Sequence, residues 1–147
     1  MSEAGGDDPR MSLFVDTSVW YAAVAFSETQ NSRAREILKS DDTLYTTDHV
    51  LVETWALIRN RIHHKAAEQF WEGIRDGVTV IEPVGLADLE IAWQIGLSFG
   101  DQDFSLVDRT SFAVMRRLGI ERAASFDNHF AVFRYGPKLR YAFEIVR

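Results

Sequence analysis

Short apolar runs, each closed by a turn residue or an acid, alternate along the chain with longer stretches whose apolar residues recur every three or four positions. Leu13-Phe14-Val15 is wholly apolar, the pattern of a strand covered on both faces, and it stops at Asp16-Thr17-Ser18. A helical stretch carrying Val19, Trp20, Ala23 and Phe26 follows, and a second is predicted from about Ser32 to Leu38. Thr43 to Thr46 reads as the next strand. Thr47 or Asp48 can cap the helix after it, which carries Val50, Leu51, Leu57, Ile58 and Ile62. A helix over His64 to Arg75 is ended by Gly77, ahead of the β-branched strand Val78 to Ile81. After a loop at Pro83 and Gly85, helices are predicted over Leu86 to Phe99 and Ser105 to Leu118, the second closed by Gly119. Arg122 to Ser125 forms a short strand ending at Phe126-Asp127, and Tyr141 to Val146 a last edge strand.

Strands separated by one or two helices imply right-handed crossovers, and hence an α/β fold with a mostly parallel sheet between two helical layers. No repeat or linker divides residues 11–147, which read as a single domain; residues 1–10, polar and broken by Gly5, Gly6 and Pro9, read as a disordered lead-in. Cysteine is absent from the 147 residues, which excludes disulfides, thiolate metal sites and cysteine nucleophiles. No signal peptide and no membrane span are recognisable, so a cytoplasmic protein is expected. Net charge is −6, with 22 acidic and 16 basic residues, which opposes any binding of nucleic acid through the overall field. A nucleic-acid substrate would require a local basic surface or bound cations.

Four carboxylates change that picture. Asp16 and Asp127 each directly follow a predicted strand, and ligands of open α/β sheets bind outside the carboxyl ends of strands. Asp16 is also a good helix N-cap, and Asp127 a good former of an Asx turn. Asp108 stands third after Ser105 in a capping-box pattern. Glu53 lies in Val50 to Leu57, a stretch otherwise bare of charge, on the same face as Val50 and Leu57. A carboxylate there is costly to desolvate unless a cation or hydrogen bonds meet it. Such a cluster suits a hard cation, which stabilises charge on a phosphodiester and helps deprotonate water. No phosphate-cradling glycine loop, G-x-S-x-G elbow or H-E-x-x-H occurs, so other hydrolytic routes lack their parts.

The strings LFVDTSVW, HVLVETWALI, DFSLVDRTSFAVM and SFDNHF, in that order, resemble the four acidic motifs of PIN-domain nucleases, above all the VapC toxins of toxin–antitoxin pairs. The resemblance covers about Leu13 to Phe130, with separations of 37, 55 and 19 residues between the acids. It carries the family's acids onto Asp16, Glu53, Asp108 and Asp127. It implies a three-layer α/β/α fold with a five-stranded sheet in the order 3-2-1-4-5, and Mg²⁺ or Mn²⁺ as cofactor. It also implies hydrolysis of single-stranded or looped RNA, a homodimer, and an antitoxin of the VapB kind whose tail blocks the site. Direct metal ligation falls to Asp16 and Asp108, with Glu53 and Asp127 acting directly or through water. Thr17, Ser18 and Ser125 sit where hydroxyls support the first and fourth acids.

Arg59, Arg61 and Lys65, with His63 and His64, form the clearest basic cluster and the first candidates to engage RNA phosphate; Arg33, Arg35 and Lys39 form a smaller one. His49, four residues before Glu53, could chelate with it but reads as a residue of the helix's first turn. His129 reads as a surface-loop residue with a possible substrate contact, and Asp103 as a solvated loop residue. The tryptophans are expected in the core, with Trp20, Tyr21 and Phe26 a potential apolar groove for a partner. Two competing readings remain. An inactive PIN-like binding module sits poorly with the presence of all four acids. A haloacid-dehalogenase-type phosphohydrolase needs an acid two residues after its nucleophile, where this chain has Ser18.

Overall fold

The computed structural model of the chain describes residues 11–147; the lead-in expected over residues 1–10 lies outside them. Five strands, β1 (Ser12–Val15), β2 (Thr43–Thr47), β3 (Val80–Glu82), β4 (Arg122–Ala124) and β5 (Glu144–Val146), make one sheet in the order β3-β2-β1-β4-β5. Every neighbouring pair is parallel, so the sheet is wholly rather than mostly parallel. Seven helices flank it: α1 (Thr17–Val24), α2 (Asn31–Leu38), α3 (Asp48–Arg61), α4 (His64–Asp76), α5 (Leu86–Ser98), α6 (Leu106–Leu118) and α7 (His129–Val132). Helix α1 packs on α2 and α3, α3 on α4, and α5 on α6.

The central strand explains why the sheet is covered on both sides. Three consecutive residues of β1, Leu13, Phe14 and Val15, are fully buried, and consecutive strand residues point to opposite faces. The strand order places the chain's reversal between β1 and β4. From β1 the chain moves outward to β2 and β3, then returns to lay β4 and β5 on the other side of β1. That junction is the topological switch point, where parallel sheets open a crevice at their carboxyl ends.

Aromatic packing fixes what surrounds the crevice. Phe112 of α6 stacks on Phe133 at 4.4 Å between centroids and meets Phe130 of α7 edge-on at 4.9 Å, while Phe130 lies 6.1 Å from Phe14 of β1. Each such pair contributes about 0.5–1.5 kcal/mol beyond area burial, so α6, α7 and β1 hold one another in register. Gly119 closes α6 in the left-handed conformation at φ 71°, a backbone state that glycine adopts without strain.

Three sequence expectations need correction. Strand β3 starts at Val80, not Val78, and Val78 is 97% exposed: an edge strand is as long as its pairing to β2 allows, and that pairing begins at Tyr45 opposite Val80. Strand β5 is confined to Glu144–Val146, because Tyr141 instead bridges back to Tyr135 in antiparallel fashion. Of the tryptophans, Trp20 is buried and donates its indole N–H to Val15 O at 3.1 Å, whereas Trp71 and Trp93 stand at the surface. Trp20 and Tyr21 are therefore core residues and only Phe26 is exposed, so the three form no apolar groove.

Candidate active site

The four acids converge on the crevice between β1 and β4. Asp16, Glu53, Asp108 and Asp127 line one cavity of about 40 Å³, together with Thr17 and Ser111. Asp16 arrives from the end of β1, Asp127 from the loop after β4, Glu53 from the second turn of α3 and Asp108 from the first turn of α6. Helix α3 begins at this edge of the sheet because it directly follows β2, whereas α6 follows α5 through a loop and brings its first turn to the same crevice.

The capping and turn roles read from sequence are all present, yet they coexist with the convergence. Asp16 caps α1: its Oδ1 accepts from Ser18 N at 2.9 Å, Ser18 Oγ at 2.6 Å and Val19 N at 3.4 Å. Its Oδ2 accepts from Ser125 Oγ at 2.7 Å. Asp108 closes a capping box, with Oδ2 accepting from Ser105 N at 3.0 Å and Ser105 Oγ accepting from Asp108 N at 3.0 Å. Asp127 forms its turn by accepting His129 N on Oδ1 at 2.9 Å. Glu53 accepts the Thr17 hydroxyl on Oε1. Among the described residues, no hydrogen bond reaches Glu53 Oε2, Asp108 Oδ1 or Asp127 Oδ2. One oxygen of each of these three side chains is anchored and the other left with unused lone pairs. The hydroxyls of Thr17, Ser18 and Ser125 each touch an acid, and Ser18 Oγ also accepts Phe126 N at 2.9 Å, tying the loop after β4 to the start of α1.

Two further features of the cavity bear on what it can hold. Asp16 is pushed from an ordinary 3.8 up to about 7, first because burial disfavours its charge and then because Asp127 adds repulsion, against the bonds from Ser18 and Ser125. The Ser111 hydroxyl is buried beside the acids without a hydrogen-bond partner, an arrangement that costs about 1–3 kcal/mol unless something else meets it. The carboxylate and hydroxyl oxygens that line the cavity suit a hard divalent cation. Asp108, Asp127 and His129 each offer a ligand atom within 4.8 Å of the others.

That last residue was missed as a site residue. His129 Nδ1 lies 2.7 Å from Asp108 Oδ2, so it is no free loop histidine. Its position two after Asp127 in a turn was the available signal. Ser111 was also missed, although it stands one helical turn beyond Asp108 on the same face. His49 does not line the cavity that Glu53 lines. Asp103 is exposed, as expected of a solvated residue. Arg59, Arg61 and Lys65 are exposed, but the two arginines lie at the far end of α3, roughly 9–12 Å along the helix from Glu53, and Lys65 lies beyond them in the first turn of α4. His63, beside them in sequence, accepts Ala66 N on Nδ1 at 3.0 Å and caps α4. Arg147, one residue beyond β5, stands at the acidic edge itself and reaches Asn128 Oδ1 at 3.4 Å.

The four acids, of which only Asp16 is fully buried, meet at the switch point of a wholly parallel sheet, and the chain belongs to the PIN domain family, whose model matches residues 13–134. It is an enzyme of that family, related to the VapC toxins. The 23S rRNA-specific endonuclease VapC20 of Mycobacterium tuberculosis is 38% identical over 121 residues, 81% of this chain and 92% of that protein. The crystal structure of VapC20, described as a sarcin–ricin loop cleaving toxin, superposes with a TM-score of 0.77 at 34% identity, over 81% of this chain and 92% of that one. FitAcB from Neisseria gonorrhoeae matches with a TM-score of 0.59 at 16% identity, over 80% of this chain and 88% of that one. VapBC2 from Rickettsia felis, bound to a promoter DNA fragment, matches at 0.60 and 11% identity over 80% and 89%. These last two share the fold. The haloacid-dehalogenase reading is overturned, since Ser18 is a hydrogen-bond donor to Asp16 rather than a second acid and the family is another. Among the described residues no helix is long and apolar enough to cross a membrane.

Proposed function

We propose that the chain is the toxin of a toxin–antitoxin pair, a Mg²⁺- or Mn²⁺-dependent endoribonuclease acting in the cytoplasm through Asp16, Glu53, Asp108 and Asp127. The observation that carries this reading is the shared cavity of the four acids, with three carboxylate oxygens unbonded and one hydroxyl unpartnered. Asp16 and Asp108 are the direct ligands, and Glu53 and Asp127 act directly or through water. When bound, the cation stabilises charge on the cleaved phosphodiester and helps deprotonate the attacking water. The chain's own residues do the rest. Thr17 orients Glu53, Ser18 and Ser125 hold Asp16, and the Ser111 hydroxyl binds a water inside the cavity. The cation also reconciles RNA with a net charge of −6, because it reverses the sign of the edge that phosphate must approach.

The named substrate of the VapC20 relative makes large-subunit ribosomal RNA the first RNA to test. Arg147 at the acidic edge and the more distant Arg59, Arg61 and Lys65 are the candidate phosphate contacts. A small antitoxin of the VapB kind is the expected inhibitor. A homodimer is supported by the apolar stripe that Leu86, Trp93 and Leu97 leave exposed along α5. Incubation of purified protein with 23S rRNA, in Mn²⁺ or in chelator, tests the reading. Discrete cleavage that requires the cation and disappears in Asp16→Asn is expected. Cleavage that persists in chelator, or in that variant, would overturn it.

A further inference from the structure

His129 reaches two of the four acids at once. Its backbone N–H donates to Asp127 Oδ1 at 2.9 Å, and its ring nitrogen Nδ1 lies 2.7 Å from Asp108 Oδ2. An ionised carboxylate only accepts, so Nδ1 carries the proton in this pair. The ring is held from behind by Phe104, edge-on at 5.5 Å, and the next residue, Phe130, is sunk between Phe14 and Phe112. Helix α7 therefore cannot rotate His129 away without disturbing the aromatic core. Asp108 Oδ2 meanwhile receives two donors, Ser105 N and His129 Nδ1, which fixes the rotation of the carboxylate and turns the unbonded Oδ1 away from them.

We propose that His129 is a positioning residue of the metal site, which locks one oxygen of Asp108 and one of Asp127 so that their remaining oxygens present to the cation. The inference rests on the four-acid reading and extends it to a residue that itself touches neither cation nor RNA. Asp127 is held by the backbone and is unaffected by the side chain, so substitutions isolate the hold on Asp108.

The test is a Mn²⁺ titration of the full chain, read by electron paramagnetic resonance and by melting, with His129→Ala, His129→Asn and His129→Gln. Asparagine can put an amide N–H where Nδ1 stands; glutamine puts it one bond further out. His129→Ala is expected to weaken Mn²⁺ binding by roughly 10–100-fold, His129→Asn to recover most of the loss, and His129→Gln to recover little. Cleavage by His129→Ala is expected to return at saturating Mn²⁺, which a merely structural lesion would not allow. With a side chain 36% exposed, the truncation leaves no closed cavity, and melts in chelator check the fold directly. Unchanged Mn²⁺ affinity in His129→Ala would overturn the proposal. So would a ¹⁴N coupling to Mn²⁺ in the parent that vanishes in His129→Asn, because the imidazole would then be a ligand. A parent that binds no Mn²⁺, or an Asp16→Asn variant that binds it as the parent does, would overturn the four-acid site beneath both.

Discussion

Asp16 and Asp88 are the same residue in nearly the same circumstances, yet the protein treats their charges in opposite ways. Each is 4% exposed, and each stabilises the start of a helix, α1 or α5. Asp88 meets the Arg117 guanidinium in a bidentate pair at 3.0 and 2.9 Å, and Arg117 also reaches Glu82 at 2.8 Å. Those bonds from Arg117, ahead of the opposing effect of burial, hold the Asp88 carboxyl below the usual range. Asp16 is given only hydroxyls and backbone N–H groups, with Asp127 as its charged neighbour, and is raised to about 7. A buried acid with an internal counter-charge is finished by folding. A buried acid without one is left to take up a proton or to meet a cation from outside.

The largest expected effect that separates the two is on catalysis. Asp16→Asn should lower RNA cleavage by at least about 100-fold, beyond the loss typical of an outer-shell change, while Asp88→Asn leaves the rate within a few-fold once the protein is folded. Single-turnover cleavage measures both. Next in size is the response to metal. Mn²⁺ at a hundred times its dissociation constant should raise the parent's melting temperature by roughly 5–10 °C. Asp88→Ala should show the same rise and Asp16→Asn none. If both variants respond like the parent, Asp16 is only a cap.

Stability without metal reverses the ranking. Asp88→Ala should cost about 1–3 kcal/mol in urea unfolding, held to that range because Arg117 is 41% exposed and water can meet it. Asp16→Asn should be neutral or stabilising in chelator, since it relieves a buried charge. The smallest effect is the dependence on pH, and its sign differs between the two sites. A raised acid favours the fold while protonated, so in chelator the parent should lose stability as pH climbs from about 4 towards 7, and Asp16→Asn should remove that slope. The contribution of Asp88 runs the other way, present above the usual carboxylate range and lost in acid. Chelated melts that stay level from pH 4 to 7 in the parent would contradict the assignment to Asp16.

Much of this contrast was legible in the sequence, but unevenly. Asp16 and Asp127 could be placed at strand ends because apolar runs broken by acids are local features, and Glu53 because helix periodicity puts it on a face otherwise apolar. Asp108 looked structural by its capping box, and the capping box is real. Sequence patterns treat capping and ligation as alternatives, whereas a carboxylate has two oxygens and serves both. Nothing local marked Asp88, whose partner lies 29 residues further on. His129 was passed over for a similar reason: its ring finds Asp108 only after β4 has seated beside β1 and the phenylalanines have drawn α7 onto α6. The start of β3 was misjudged because β-branched residues report a preference for extended backbone, while the partner strand decides how much of it is paired.

The order of the strands also dictates when the site can exist. Its acids come from the first and fourth strands and the helices between, and the aromatic residues that clamp them, Phe130, Phe133 and Phe143, come later still. A chain emerging from the ribosome therefore exposes Asp16 early but lacks its charged neighbour Asp127 until β4 has been made. A chain that stops before Asp127 holds three of the four acids without the fourth, so the four-acid site assembles only after β4 and the aromatic residues beyond it have been made.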